Sequence, residues 1–329
     1  TGHYASNLKL FLEKAHYSFM EFNPVLLSKF NHSKTLRKTK TDAIDASSIA
    51  HYLMTVEYKS YTPGFYHMYS LKSLTRLRDS LVRVRSLYLV KITNVLDHTF
   101  PEFKPFWKNS FSKTAFYLLN HYGSASKMAA MNAASYDKLH RISRGKFSYK
   151  RFIELRELAK NTVGLSNDIF NLELASLLRL FHSINDEINS LEKEIHSLIT
   201  DLNPPTLFIP GIGPLTAAII ISEFGDIAKF KSPAAMLSFA GLEPSHYQSG
   251  ISEHKGRMVK RGSSYLRYAL MNSCIPLINY NPTFAEYYYK KRQEGKTHRV
   301  ASTHLVKKLL RVIYTLELNN ITFDPKKIR

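Results

Sequence analysis

The 329-residue sequence predicts a mainly α-helical protein carrying a partial α/β layer near its start. Three observations lead there. Leu177, Leu180, Ile184, Ile188, Leu191, Ile195, Leu198 and Leu202 recur at spacings of three and four, the signature of a long amphipathic helix. An apolar run from Leu207 to Ser222 is broken by Pro210-Gly211-Ile212-Gly213-Pro214, the form of a helix-hairpin-helix. Residues 5–30 read in the order helix, strand, helix.

In chain order, Ser6 or Asn7 can cap a helix whose apolar positions are Leu8, Phe11, Leu12 and Ala15. Tyr17–Phe22 alternates and is aromatic, so a strand is expected. Asn23-Pro24 turns into a second helix carrying Val25, Leu26, Leu27 and Phe30. Next, Lys34, Arg37, Lys38 and Lys40 precede Asp42 and Asp45. A helix starting at Thr41 or Asp42 puts both carboxylates on one face, three residues apart, with Ile44, Ile49 and Ala50 towards the core. Two acids beside phosphate-holding cations suit Mg²⁺. Acids in a first helical turn are also commonplace, because the helix dipole favours them there.

A basic helix is predicted over about 69–98, from Leu74, Leu77, Leu81, Val84, Tyr88 and Val95. Residues 99–165 mix prolines and aromatics, and burial is the expected fate of Phe103, Phe106 and Trp107. The long helix that follows suits a coiled coil or packing within one subunit, and Asn203-Pro204-Pro205 closes it. The boundaries are therefore placed at 1–68, a helical and coiled-coil spacer at 69–203, and a C-terminal domain at 204–329.

In the glycine turn, Gly211 and Gly213 can take positive φ and let backbone N–H groups approach an anion. Pro214 then opens a helix whose positive end faces that anion. Gly211, Ile212 and Gly213 are the expected phosphate-gripping residues. Ser232-Pro233 starts a further helix and Gly241 ends it. Residues 246–264 are polar, glycine-punctuated and basic, and are expected to form an exposed loop. Here Ser249 precedes Gly250, close to Lys255, Arg257, Lys260 and Arg261. A serine so placed can attack a phosphodiester while the cations stabilise the developing charge.

Charge selects the partner. Forty-six Lys and Arg against 26 Asp and Glu leave +20. Residues 228–329 alone hold 18 Lys and Arg against six acids. With 44% hydrophobic residues this is a folded polycation, which favours nucleic acid as partner. No apolar run approaches the roughly 20 residues that span a bilayer. The single Cys274 excludes an internal disulfide framework and a cysteine zinc cluster, and suits a reducing cytoplasm.

Taken together, Thr1-Gly2-His3-Tyr4, the Arg37–Ala46 stretch with its Lys-Thr-Asp-x-x-Asp-Ala pattern, and Ile209–Gly213 through Ser249-Gly250 to Arg267 resemble the DEDD transposases of bacterial insertion sequences. The resemblance implies an RNase H-like (RuvC-like) N-terminal domain, a coiled-coil spacer and a C-terminal transposase domain. It makes Asp42 and Asp45 the last two of four acids holding Mg²⁺ or Mn²⁺. It makes Ser249 the serine nucleophile, with Ser263 and Ser264 as alternatives, and Lys38 and Lys40 DNA contacts. The implied activity is cutting and rejoining DNA at element ends and target. A homo-oligomer and an element-encoded guide RNA are the further partners implied. In the family the other two acids, an aspartate and a glutamate, stand ahead of the position of Thr1. Residues 1–329 on their own are therefore expected to cleave poorly. The competing reading is a DNA- or RNA-binding protein without chemistry.

Overall fold

A computed structural model describes residues 5–22, 24–34, 41–57, 65–108, 111–249 and 252–327. In chain order the helices are α1 (Ala5–Lys14), α2 (Pro24–Lys34), α3 (Asp42–Thr55), α4 (Phe65–Thr99), α5 (Phe103–Phe106), α6 (Lys113–His121), α7 (Ala125–Ala129), α8 (Ala133–Ile142), α9 (Tyr149–Lys160) and α10 (Asp168–Leu202). After them come α11 (Pro214–Phe224), α12 (Pro233–Phe239), the strands β1 (Pro244–Ser249) and β2 (Ser252–Met258), α13 (Ser264–Asn272), α14 (Cys274–Tyr280), α15 (Pro282–Gln293) and α16 (His298–Asn319). The protein is mainly helical, as expected. It divides into two compact units, one of residues 1–72, 204–212 and 219–329, the other of 73–203 and 213–218.

Within the second unit, α4 and α10 run antiparallel. Arg78 donates to Glu192 through Nε at 2.8 Å, Arg85 donates to Asn185 at 2.9 Å, and the His98 ring stacks on Phe170 at 5.8 Å. The paired numbers fall on one helix as they rise on the other. The apolar stripe of α10 is thus met by a helix of the same chain. Leu174, Leu177, Leu178, Ile188, Ile195 and Ile199 are buried, whereas the expected Leu180 and Leu202 are 45% and 42% exposed. A 3.6-residue helix drifts against a 3.5-residue repeat, so a stripe drawn on every third and fourth residue rotates out of the seam.

Helices α5–α9 close a core over one end of this pair, around Phe100, Phe103, Phe147 and Phe152, all 2% exposed or less. Burying each such ring contributes about 1.5–3 kcal/mol. Phe103 and Trp107 are buried, as expected. The short helices start where their sequence tells them to. Ser112, Ser124, Asn132 and Ser148 each accept a hydrogen bond from a backbone N–H in the first turn of α6, α7, α8 and α9. At the return into α10, a Cβ on Gly164 would sit 2.2 Å from the carbonyl oxygen of Thr99, so only glycine lets the chain lie this close. There Leu165 N donates to His98 O at 2.8 Å. The Glu102 carboxylate accepts from Thr162 Oγ1 at 2.7 Å and Val163 N at 3.1 Å.

The first unit is centred on α16, where Ala301, Leu305, Val306, Leu309, Leu310 and Ile313 are fully buried. Tyr314 donates to Phe230 O at 3.1 Å, tying α16 to the segment ahead of α12. Helices α2 and α3 pack together, with Phe22 and Phe30 against the buried Tyr52 at ring separations of 5.2 and 5.3 Å. Three expectations fail in this region. Ser6 and Asn7 lie inside α1, which already includes Ala5, so neither caps it. Tyr17–Phe22 has no regular structure, because an alternating segment becomes a strand only when a neighbour supplies a ladder, and none lies beside it among the described residues. The partial α/β layer consequently has no strand between α1 and α2. Ile44 and Ile49 are 43% and 37% exposed and Ala50 is also exposed, so they do not face the core. The inward stripe of α3 is the half-buried Asp45 and Ser48 with the buried Tyr52, about a quarter-turn away.

Candidate nucleic-acid interface

Thr41 starts α3. Its side-chain oxygen accepts from Ile44 N at 3.3 Å, and Asp45 N donates to Thr41 O at 2.9 Å. Asp42 and Asp45 both fall in the first turn, as the spacing predicted; Asp42 is exposed and Asp45 half-buried. Two carboxylates at a helix start can hold Mg²⁺ in the mode this ion prefers, with one or two protein carboxylates completed by substrate phosphates. Among the described residues no third Asp, Glu, His or Cys joins them in a metal-binding group. Lys38 and Lys40 lie outside the described residues.

In place of the expected loop, Pro244–Ser249 and Ser252–Met258 pair as an antiparallel hairpin. Ser249 pairs with Ser252, Tyr247 with His254 and His246 with Lys255, with a bulge between Pro244 and His246. The polar, glycine-bearing composition concealed these strands because neither has an apolar face of its own. Ser249 is the last residue of β1, and Lys255 and Arg257 stand on β2. Their side chains are outside the described part of the hairpin. Ser263 is placed differently. It caps α13, its Oγ accepting from Leu266 N at 3.2 Å, and Ser264 is the first residue of that helix.

Beyond β2 the chain is pinned tightly. Lys260 adopts φ 53° and Gly262 φ 95°. A Cβ on Gly241 would lie 1.8 Å from Arg261 O, and one on Gly262 would lie 2.0 Å from Phe239 O. Val259 N donates to Glu243 O at 3.0 Å and Lys260 N to Gly241 O at 3.1 Å. Arg267 Nη1 adds bonds to the carbonyls of Ala240 at 3.2 Å and Gly262 at 3.3 Å. Two glycines and one arginine therefore hold the exposed Lys260 and Arg261 beside the end of α12. Sequence reasoning read Gly241 only as a helix stop and gave Arg267 no role. The signal available was Gly262, directly after two cations, in a stretch with no other reason for glycine.

The glycine turn keeps its second helix and loses its first, since only a 3₁₀ turn, Pro205–Phe208, precedes it. Ile212 N donates to Ile209 O at 2.9 Å with Pro210 and Gly211 between, and Gly211 has φ 97°, the pattern of a type II turn. Gly211 is backed against α14, where a Cβ would meet Leu277 Cα at 2.8 Å. Its lack of a side chain serves packing, not approach to an anion. Gly213 is the open one. It has no atom within 4 Å of a would-be Cβ, does not take positive φ, and its carbonyl accepts from Ala217 N at 2.9 Å. Ahead of the turn, one Glu317 oxygen accepts from both Thr206 N at 2.7 Å and Thr206 Oγ1 at 2.6 Å.

The first turn of α3, the hairpin and the glycine turn ahead of α11 are where the structure places the residues singled out from the sequence. The comparisons name the family. Residues 1–101 match a family model described as "Transposase", for the DEDD type, and residues 207–289 match one described as "Transposase IS116/IS110/IS902 family". The chain belongs to this family of DEDD transposases. It is 27% identical over 217 residues to the "Insertion element IS110 uncharacterized 43.6 kDa protein" of Streptomyces coelicolor, covering 64% of this chain and 53% of that one. It is 34% identical over 150 residues to the "Pilin gene-inverting protein" of Moraxella bovis, covering 43% and 47%. To the "Transposase for insertion sequence element IS1111A" of Coxiella burnetii it is 24% identical over 261 residues, covering 78% and 60%. The chain spans about half the length of the first two.

Proposed function

We propose that this chain cuts and rejoins DNA at the ends of an insertion element, using Asp42 and Asp45 as metal-binding carboxylates and Ser249 as nucleophile. The division into an RNase H-like part at 1–68, a helical and coiled-coil spacer at 69–203 and a transposase domain at 204–329 belongs to the same proposal. So do a homo-oligomeric assembly and an element-encoded guide RNA. The observation that carries the choice of serine is that Ser263 Oγ is committed to capping α13, while Ser249 ends a strand whose partner strand carries Lys255 and Arg257 in its sequence. A relative named as a pilin gene-inverting protein supports a rearrangement in which strands are both broken and rejoined.

In this reading the Ser249 hydroxyl attacks a backbone phosphorus and its proton leaves to solvent or a carboxylate. The bond to one sugar oxygen breaks, leaving a serine–phosphate ester. A sugar hydroxyl of the joining strand then displaces the serine, so the number of phosphodiester bonds is restored. Lys255, Arg257, Lys260 and Arg261 neutralise charge on the phosphate as the new bond forms. Mg²⁺ or Mn²⁺ at Asp42 and Asp45, when bound, supplies further charge neutralisation at the substrate phosphates. Gly213 and the N–H groups at the start of α11 hold the backbone without reading its sequence.

The test is a covalent-adduct assay with Mg²⁺ and DNA carrying the element ends, on this chain with whatever residues its reading frame encodes ahead of Thr1. Ser249→Ala and Asp45→Ala are expected to abolish the adduct and leave DNA binding intact, while Ser263→Ala retains the adduct. An adduct that survives Ser249→Ala overturns the assignment. Binding with no adduct from the unaltered protein supports the DNA- or RNA-binding protein without chemistry.

A further inference from the structure

The second compact unit contains a cleft of about 450 Å³ between the end of α5, the start of α6 and the segment joining α8 to α9. That volume lies within the range of small-ligand sites. Its floor is aromatic, with the buried rings of Trp107 and Phe147 stacked at 5.6 Å. Its rim is cationic, formed by Lys113, Arg144, Lys146 and Arg151, and among the described residues no Asp or Glu lines it. Arg151 is already engaged. It donates to Phe106 O at 2.9 Å and lies over the Phe106 ring at 4.5 Å. The exposed Lys113, Arg144 and Lys146 make no ion pair among the described residues.

Two independent features add donors without acceptors. The nine-residue α6 starts at this cleft. Ser112 Oγ takes the Ala115 N–H at 3.2 Å, and the first-turn N–H groups of Lys113 and Thr114 remain outside the helix ladder. Trp107 is 8% exposed, and its indole Nε1 is buried with no hydrogen-bond partner. A buried N–H left unpaired costs on the order of 1–3 kcal/mol, and this one belongs to a residue that lines the cleft. The local backbone also converges the cations. Arg144 and Gly145 take φ 54° and 78° in succession, and Gly145 N donates to His140 O at 2.9 Å, folding the chain back so that Arg144 and Lys146 flank one opening.

Unpaired cations, orphan N–H donors and a lining without carboxylates among the described residues select an oxyanion. We infer that this cleft, whose lining includes none of Asp42, Asp45 and Ser249, binds a phosphate group of a nucleic-acid strand. A nucleic-acid source is favoured over a free phosphate because the whole chain carries +20, which draws polyanions to it.

Trp107 is the single tryptophan of the chain, so its emission reports this cleft directly. The experiment titrates the unaltered protein with a single-stranded oligonucleotide, with inorganic phosphate alone and with vesicles of phosphatidylglycerol, following that emission and, for the oligonucleotide, anisotropy across a salt series. The oligonucleotide is expected to shift the Trp107 emission at far lower concentration than inorganic phosphate. Arg144→Gln with Lys146→Gln is expected to abolish the shift and to flatten the salt slope by about 1.4 for a single strand. Lys160→Gln with Lys193→Gln, removing equal charge from α9 and α10, is the control and keeps the shift. Both pairs are exposed, and unchanged circular dichroism verifies folding. Oligonucleotide binding with no change in Trp107 emission overturns the inference. A stronger response to vesicles overturns it in favour of a lipid headgroup, and an equal response to inorganic phosphate in favour of a free-phosphate site. Ser249→Ala leaves every arm unchanged, which separates this result from the failure of the proposed strand chemistry.

Discussion

Gly262→Ala tests how the cationic segment after the hairpin is held. Gly262 has φ 95°, and an L side chain in the left-handed region costs about 1–2 kcal/mol. The new Cβ would also stand 2.0 Å from Phe239 O, a backbone atom at the end of α12 that cannot swing aside. Forcing extra volume into such a contact costs about 1–3 kcal/mol more. The two effects have separate origins, so a local loss of about 2–5 kcal/mol is expected. At tenfold per 1.4 kcal/mol, amide exchange at Val259 and Lys260 should accelerate by a factor of about 30 or more. These amides bond Glu243 O and Gly241 O, so they report this approach. Gly213→Ala is the matched control, with open space around its would-be Cβ and no positive φ, and should leave exchange at those sites unchanged. Acceleration below about threefold at Val259 and Lys260 would refute the idea that close backbone packing at Gly262 fixes Lys260 and Arg261.

Glu317→Ala removes the acceptor shared by Thr206 N and Thr206 Oγ1, both at a fully buried residue; a loss of about 1–3 kcal/mol in denaturant unfolding is expected, and Glu317→Gln should recover part of it. Burial pushes the Cys274 thiol from its ordinary 9.0 up to about 11, so the native protein should resist iodoacetamide at pH 9 and react only when unfolded. Because the folded value is the higher one, this group's stabilisation is complete below pH 9 and is lost between pH 9 and about 11, which a stability measurement across that range should register for the native chain and not for Cys274→Ala. Glu102 behaves in the opposite sense. Burial pushes it up, but hydrogen bonds from Thr162 and Val163 outweigh that and hold it below its ordinary 4.5, so its contribution is present above pH 4.5 and fades in acid; Glu102→Gln should flatten the acid limb of unfolding. Lys260→Gln with Arg261→Gln should reduce the salt slope of duplex binding by about 1.8 without altering sequence preference.

Much of the local structure could be read from residue order. Asp42 and Asp45 fell in one helical turn because Thr41 is a capping residue, and the start of α12 was written in Ser232-Pro233. These outcomes depend on atoms within a few residues of one another, which is why they were legible. The hairpin was not. β1 and β2 are polar on both faces, so no period-two pattern distinguished them from a loop. The same limit applied to Tyr17–Phe22, whose alternation suggests a strand although no partner stands beside it among the described residues.

By itself, the order of amino acids determined the helical class, the +20 that calls for a polyanion, and the positions of the Thr41 and Ser232 helix starts and of the glycine turn. These follow from propensity, charge and bonds of short reach. Tertiary structure alone decided that Gly211 spends its missing side chain against Leu277, that Gly241 and Gly262 press against the backbone of Arg261 and Phe239, and that Trp107, in a cleft with three unpaired cations, leaves an N–H unpaired. Each of those depends on which distant backbone comes within about 3 Å, and close packing of that kind is set by the whole folded chain, not by any stretch of it.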